Sequence, residues 1–281
     1  MSEKWDVPVM PYVDMTIGRT YTLSTYSTGS GIKAFALAFV GVSEGATDFT
    51  WAGLSPDPAP SHFKEEIDAF KKGGGVPVIS FGGSKPIAPE YQIDDSAVLL
   101  KGYQAVIDGY AVDHINFDLE GEVSRSAVRQ RNAVLVAGLL KKYPSLRVSY
   151  SLEVDKDNNG RFKLTDFGLK LLKDLHNAKV TPALVNALVE YIPWASAKEA
   201  LEAVHGSVKD AFGLTDAEAW RHIGACPMYG KEGTFEWTLQ DHKALRTFAE
   251  EKNLGCLSGW EAKRDAPDFA YGKIQAGYKP K

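Results

Sequence analysis

The segment Val112–Gly121, VDHINFDLEG, has the residue types and spacing that could do chemistry. Read as a strand, its period-2 alternation puts Ile115, Phe117 and Leu119 on one face and Asn116, Asp118 and Glu120 on the other. Two carboxylates and an amide then share a face. Burial and mutual repulsion would raise the pKa of one carboxylate. A carboxylic acid kept protonated near neutral pH can hand its proton to a leaving oxygen, so the pair suits acid catalysis. The competing reading is an edge strand with solvated acids. The Ile, Phe and Leu between the acids disfavour it, because they require burial on one side, and Asp113 enlarges the acidic cluster.

The elements that must position this face form a βα rhythm. Short apolar or β-branched runs begin at Val7, Ala34, Val76, Val112, Arg147, Ala183, His222 and Gly255. Amphipathic segments lie between them, such as SHFKEEIDAFKKGGG, where Phe63, Ile67 and Phe70 fall at helical spacing before a glycine stop. Thr215 with Glu218 and Thr238 with Asp241 have capping-box spacing, and Asn253 to Gly255 closes the second of these helices. Eight strands alternating with helices predict one α/β domain over residues 1–281, a (β/α)8 TIM barrel, with a doubly wound open sheet as the rival. In a barrel the chemistry belongs at the C-terminal ends of the strands.

Composition narrows the function classes. With 32 Lys and Arg against 36 Asp and Glu, the net charge of −4 argues against a nucleic-acid-binding face. No apolar stretch approaches a membrane span, and the opening MSEKWDVPVMPYVD lacks the basic and apolar regions of a signal peptide. Cys226 and Cys256 are too few for a disulfide scaffold and are expected as packed thiols, with one bridge as the minority case. Six scattered histidines show no HExxH, and no P-loop motif is present. Asp155, Asp157, Asn159, Gly160 and Asp166 nearly spell an EF-hand loop, but a predicted strand precedes them and position twelve is Asp, so a solvated loop is expected. No metal and no cofactor are expected.

Asp113, Asn116, Asp118 and Glu120 resemble the DxxDxDxE signature of family 18 glycoside hydrolases, the chitinases, with Asn116 in place of the middle aspartate. Ser80-Phe81-Gly82-Gly83 resembles the SxGG motif at the end of strand three. ALAFV, YQAVIDGY, YSLEV, CPMYG and LSGWEAKRD resemble further blocks, in order, of the single-domain chitinase D type. The resemblance implies a retaining glycosidase cleaving β-1,4-linked N-acetylglucosamine, in which the substrate's own acetamido group is the nucleophile.

By that resemblance Glu120 is the general acid, Asp118 holds and polarises the acetamido group, and the Tyr191 hydroxyl stabilises the charge developing on the intermediate. Trp260 floors the catalytic subsite. Tyr12, Asp14, Met228 and Tyr229 line the groove, together with Ser80, Gly82 and Asp113 of the motifs. Glu190 stands where the subgroup has Asp, and YGKEG replaces a segment in which an Asn-Asp pair is common. Asn116 cannot share a proton with Asp118, so a weakened or shifted pH optimum is expected, and Asn116→Asp is expected to raise turnover. Trp51, Trp194 and Trp237 are equally read as sugar platforms or as lids on the core. Expected partners are chitin or its oligosaccharides, bound by a monomer, with no nucleic acid and no membrane. A sugar-binding lectin or inhibitor without turnover and an endo-β-N-acetylglucosaminidase are the alternatives. Family members are commonly secreted, and the missing signal leaves a mature secreted form or a cytoplasmic protein.

Overall fold

The computed structural model describes residues 4–53, 57–85, 87–120 and 126–281. Eight parallel strands form one closed sheet: β1 (Tyr12–Asp14), β2 (Ala34–Gly41), β3 (Val76–Gly83), β4 (His114–Leu119), β5 (Arg147–Lys156), β6 (Leu184–Leu188), β7 (Ile223–Cys226) and β8 (Cys256–Leu257). All eight sequence-predicted runs are barrel strands, and helices connect them. The seam between β8 and β1 is closed by Met10 N–H on the Leu257 carbonyl (2.8 Å), Leu257 N–H on the Pro8 carbonyl (2.9 Å) and Tyr12 N–H on the Gly259 carbonyl (2.9 Å). Pro8 and Pro11 have no N–H to give to a ladder, so the run from Val7 makes a bridge at Val9 and becomes a continuous strand only at Tyr12.

Alternation sorts each strand's side chains into two layers. Phe35, Leu37, Ile79, Phe81, Ile115 and Phe117 point out beneath the helices and form the main core. Inside, Met10, Tyr12, Ala34, Ala36, Ala38 and Leu184 pack a second cluster. The alanines of β2 leave interior volume for the larger Tyr12 and for polar side chains on β3, β4 and β5. Both capping boxes form, and Asn253 ends its helix in the left-handed conformation.

The segment after β5 is a hairpin: β5 runs to Lys156 and pairs antiparallel with Phe162–Leu164. Asp157 accepts the N–H groups of Asn159 and Arg161 at its turn, and Asp166 pairs with Lys163. The EF-hand spacing is therefore the spacing of a two-strand turn followed by a helix start. Cys226 and Cys256 are both buried free thiols. Among the described residues, no helix is long and apolar enough to cross a membrane.

Candidate active site

Register brings the site together. On β4, Asn116 lies beside Ser80 of β3 and Ser149 of β5, and Asp118 beside Gly82 and Ser151. Glu120 follows directly at the mouth. Gly82 is required here: its φ is +103°, and a Cβ would stand 2.1 Å from the Asp118 carbonyl oxygen. Gly83, at φ +91°, leaves room for the Phe39 ring in the same way. The SFGG motif thus lets two strands approach closely where the carboxylates emerge.

Asn116 is fully buried and fully bonded. Its Nδ2 donates to the Tyr12 hydroxyl (3.0 Å) and Ser80 Oγ (2.9 Å), and its Oδ1 accepts from Ser149 Oγ (2.9 Å) and Ser151 Oγ (3.4 Å). The Tyr12 hydroxyl also bonds Ser151 Oγ at 2.6 Å. Tyr12, placed in the groove by sequence, instead lies in the barrel interior beneath Asp118 and is itself fully buried. An Asp at 116 has no N–H to give and, when neutral, a single O–H in place of the amide's two donations. Buried with a pKa above its unfolded value, it would be neutral in the fold and ionised in the unfolded chain. Its penalty is therefore absent below about pH 4 and grows as pH rises through the folded pKa. Asn116→Asp is expected to cost about 1–3 kcal/mol at pH 7 and to recover most of that only by about pH 4, read by denaturant unfolding. The expected gain in turnover is then read towards that pH, and a fall there would show that the amide network is the active arrangement.

Four carboxylates converge at the mouth. Asp118 has its pKa pushed well up, first by burial and then by the charges of Glu120, Glu190 and Glu153, with the Tyr12 hydroxyl acting in the opposite direction. Burial first and Glu153 second push Glu120 up to about 7. Burial and then Glu120 push Glu190 up to about 8, and the Cys226 thiol faces its Oε1 at 3.6 Å. Neutral carboxyl groups therefore persist here near neutral pH, as acid catalysis requires. Glu153 belongs to this site and was not singled out by sequence, although Ser149, Ser151 and Glu153 share one parity on β5. Because its charge raises Glu120, Glu153→Gln is expected to move the alkaline limb of the pH–rate profile to lower pH. An unmoved or raised limb would remove Glu153 from the electrostatics of the acid.

Trp260 stacks on Phe39 (centroids 5.7 Å apart, 10° between planes) and borders a cavity of about 200 Å³ with Asp14, Gly82, Gly83 and Lys85. Asp14 Oδ1 accepts from Thr16 N–H and Oγ and from Ile17 N–H, fixing the loop after β1. Glu261, a buried residue missed by sequence, accepts the Asp14 N–H at 2.9 Å and pairs with Lys263. Tyr191 stands at the rim, half exposed, within reach of the charges of Glu190, Glu232 and Glu120.

Besides Tyr12, two expected groove residues, Asp113 and Tyr229, are elsewhere, and Met228 is buried. Asp113 precedes β4 at the opposite end of the barrel, where it and Asp6 flank the His114 ring at 2.7 and 2.8 Å. Tyr229 points away from the mouth: its hydroxyl donates to Gln275 at 2.6 Å and its ring stacks on Tyr271. Pro227 follows β7 directly and ends its alternation before both Met228 and Tyr229, whose groove places were implied by the resemblance. Met228 is buried, with its Sδ against Arg264 and its carbonyl accepting from His242. Trp51 and Trp237 are buried lids on the core, bonded to the Tyr110 hydroxyl (2.8 Å) and the Val189 carbonyl (3.2 Å). Trp194 is half-buried against Trp237 and Phe248.

No family model matches the chain. It is 25% identical over 92% of its length to the probable bifunctional chitinase/lysozyme of Escherichia coli (strain K12), covering 31% of that protein. It is 26% identical over 92% of its length to endochitinase 11 of Metarhizium anisopliae, covering 52% of that protein. The chain thus spans about a third to a half of these curated relatives. The catalytic domain of the hyperthermophilic chitinase from Pyrococcus furiosus superposes with a TM-score of 0.86 at 24% identity, over 99% of both chains. The carboxylates described above therefore sit at the mouth of a (β/α)8 barrel that shares the fold of a chitinase catalytic domain.

Proposed function

We propose that the protein is a family 18 glycoside hydrolase that cleaves β-1,4-linked N-acetylglucosamine polymers or oligomers with retention, assisted by the substrate's acetamido group. The observation that carries this reading is the pairing of buried Asp118 with a Glu120 held at about 7, beside an aromatic floor at Trp260. Glu120 protonates the glycosidic oxygen. Asp118 orients the acetamido group so that its carbonyl oxygen attacks the anomeric carbon, and the bond to the leaving oxygen breaks as Glu120 gives up its proton. Tyr191 is the donor at the rim for the charge that develops. Water then opens the oxazolinium-type intermediate, with Glu120 as base.

Tyr12 and Asn116 act beneath the reacting atoms, holding the shape of the pocket. Every carboxylate in the cluster comes from one chain, which fits a monomeric enzyme. An insoluble polymer as substrate fits a secreted one. Substrate assistance gives a direct test. Incubation with the N-acetylglucosamine hexamer should release shorter oligomers, whereas the glucose hexamer, lacking the acetamido group, should stay intact. Cleavage of both would remove the acetamido group from the mechanism. The satisfied amide of Asn116 favours one second reading, a protein that binds the sugar without turnover, which would leave both hexamers intact.

A further inference from the structure

Among the described residues, six large apolar side chains are exposed, and two of them, Tyr191 (53%) and Phe235 (39%), pack on each other at the barrel mouth. Their ring centroids are 5.5 Å apart with 77° between planes, so they form an open corner. Phe235 lies on a hairpin of Gly230–Glu232 and Phe235–Trp237 that follows β7. Both ends of this hairpin are fastened. Trp237, on the same face as Phe235 by its period of two, is buried and donates its indole N–H to the Val189 carbonyl, two residues before Tyr191. Glu232, directly across the hairpin from Phe235, takes both Arg264 nitrogens at 2.6 and 2.7 Å, and Arg264 also donates to the Lys231 carbonyl at 2.6 Å.

Holding two aromatic rings in water gains nothing for folding. It does present ring faces suited to the apolar face of a pyranose. The corner lies by β6 and β7 and the Trp260 cavity by β1, β2 and β3, with Glu120 at the end of β4 on the same mouth and its charge reaching Tyr191. We propose that Phe235, braced on Tyr191, stacks on the sugar beyond the scissile bond, making hairpin 230–237 a specificity-determining wall for oligosaccharides long enough to reach it. This rests on the chitin-type reading above.

The test is calorimetric titration of the Glu120→Gln protein, which binds without turnover, with the N-acetylglucosamine hexamer and disaccharide. Adding Phe235→Ala should weaken hexamer binding about fivefold, and Phe235→Tyr should restore it. The disaccharide, assigned on this reading to Trp260 and its cavity, should change less than twofold. Arg264→Gln, which frees the hairpin while keeping Phe235, should weaken the hexamer as well. Equal hexamer affinity with and without the Phe235 ring overturns the wall. A parallel loss for both ligands overturns it too, because it would mark a general disturbance of the site. Absence of binding by the Glu120→Gln parent would instead overturn the chitin-type reading, and with it the ligand assigned to the wall.

Discussion

Glu120→Gln is expected to lower hexamer cleavage by about 10²- to 10⁴-fold while hexamer affinity stays within a few fold. The amide keeps the side chain's shape at the mouth but has no proton to give to the leaving oxygen. The environment explains why this carboxyl can be the acid: burial and the charge of Glu153 hold its pKa at about 7, so a protonated fraction remains at neutral pH. Activity that needs the protonated form falls as pH rises through that value. Because Asp118 and Glu190 titrate beside it, the measured limb belongs to the cluster rather than to Glu120 alone. Chromatography of products over time measures the loss. More than a tenth of the parent rate remaining would assign the acid to another group, Glu190 and Asp118 being the other carboxyls whose pKa is pushed up in the cluster.

Gly82→Ala is expected to destabilise the protein by about 3–5 kcal/mol and to lower the melting temperature by about 10 °C. Two effects combine at this position. The backbone at φ +103° is one that L side chains rarely adopt, and the new Cβ would meet the Asp118 carbonyl oxygen at 2.1 Å. Relief requires β3 to move away from β4, which displaces Asp118, so the folded fraction should also lose activity. Gly206→Ala is the control. Gly206 lies inside the helix Trp194–Phe212 with nothing within 4 Å of an added Cβ, so that substitution should stabilise by about 0.5–1 kcal/mol. An unchanged melting temperature in Gly82→Ala would show that the strands tolerate separation there.

The barrel and its acidic strand were legible because period-2 alternation is a local property, and Ile115, Phe117 and Leu119 state it without ambiguity. Legibility stopped where alternation stopped. Pro227 ends β7, so the facing of Met228 and Tyr229 could not be carried past it. Asp113 shares the signature's spacing, yet it precedes Asp118 by five residues, enough rise at about 3.3 Å each to put it at the far end of the barrel. Glu153 could have been found by extending the parity of Ser149 and Ser151. Phe235 and Glu261 could not, since their places depend on a hairpin fastened by Arg264 and on the closure of β8 against β1, contacts between segments distant in sequence.

Proton NMR of the first products of hexamer cleavage tests the substrate-assisted mechanism most directly, because attack by the acetamido oxygen and then by water inverts the anomeric carbon twice. The β-anomer should be released first and relax slowly to the equilibrium mixture. Release of the α-anomer first would contradict the mechanism, since it requires a single displacement by water with a second carboxylate as base.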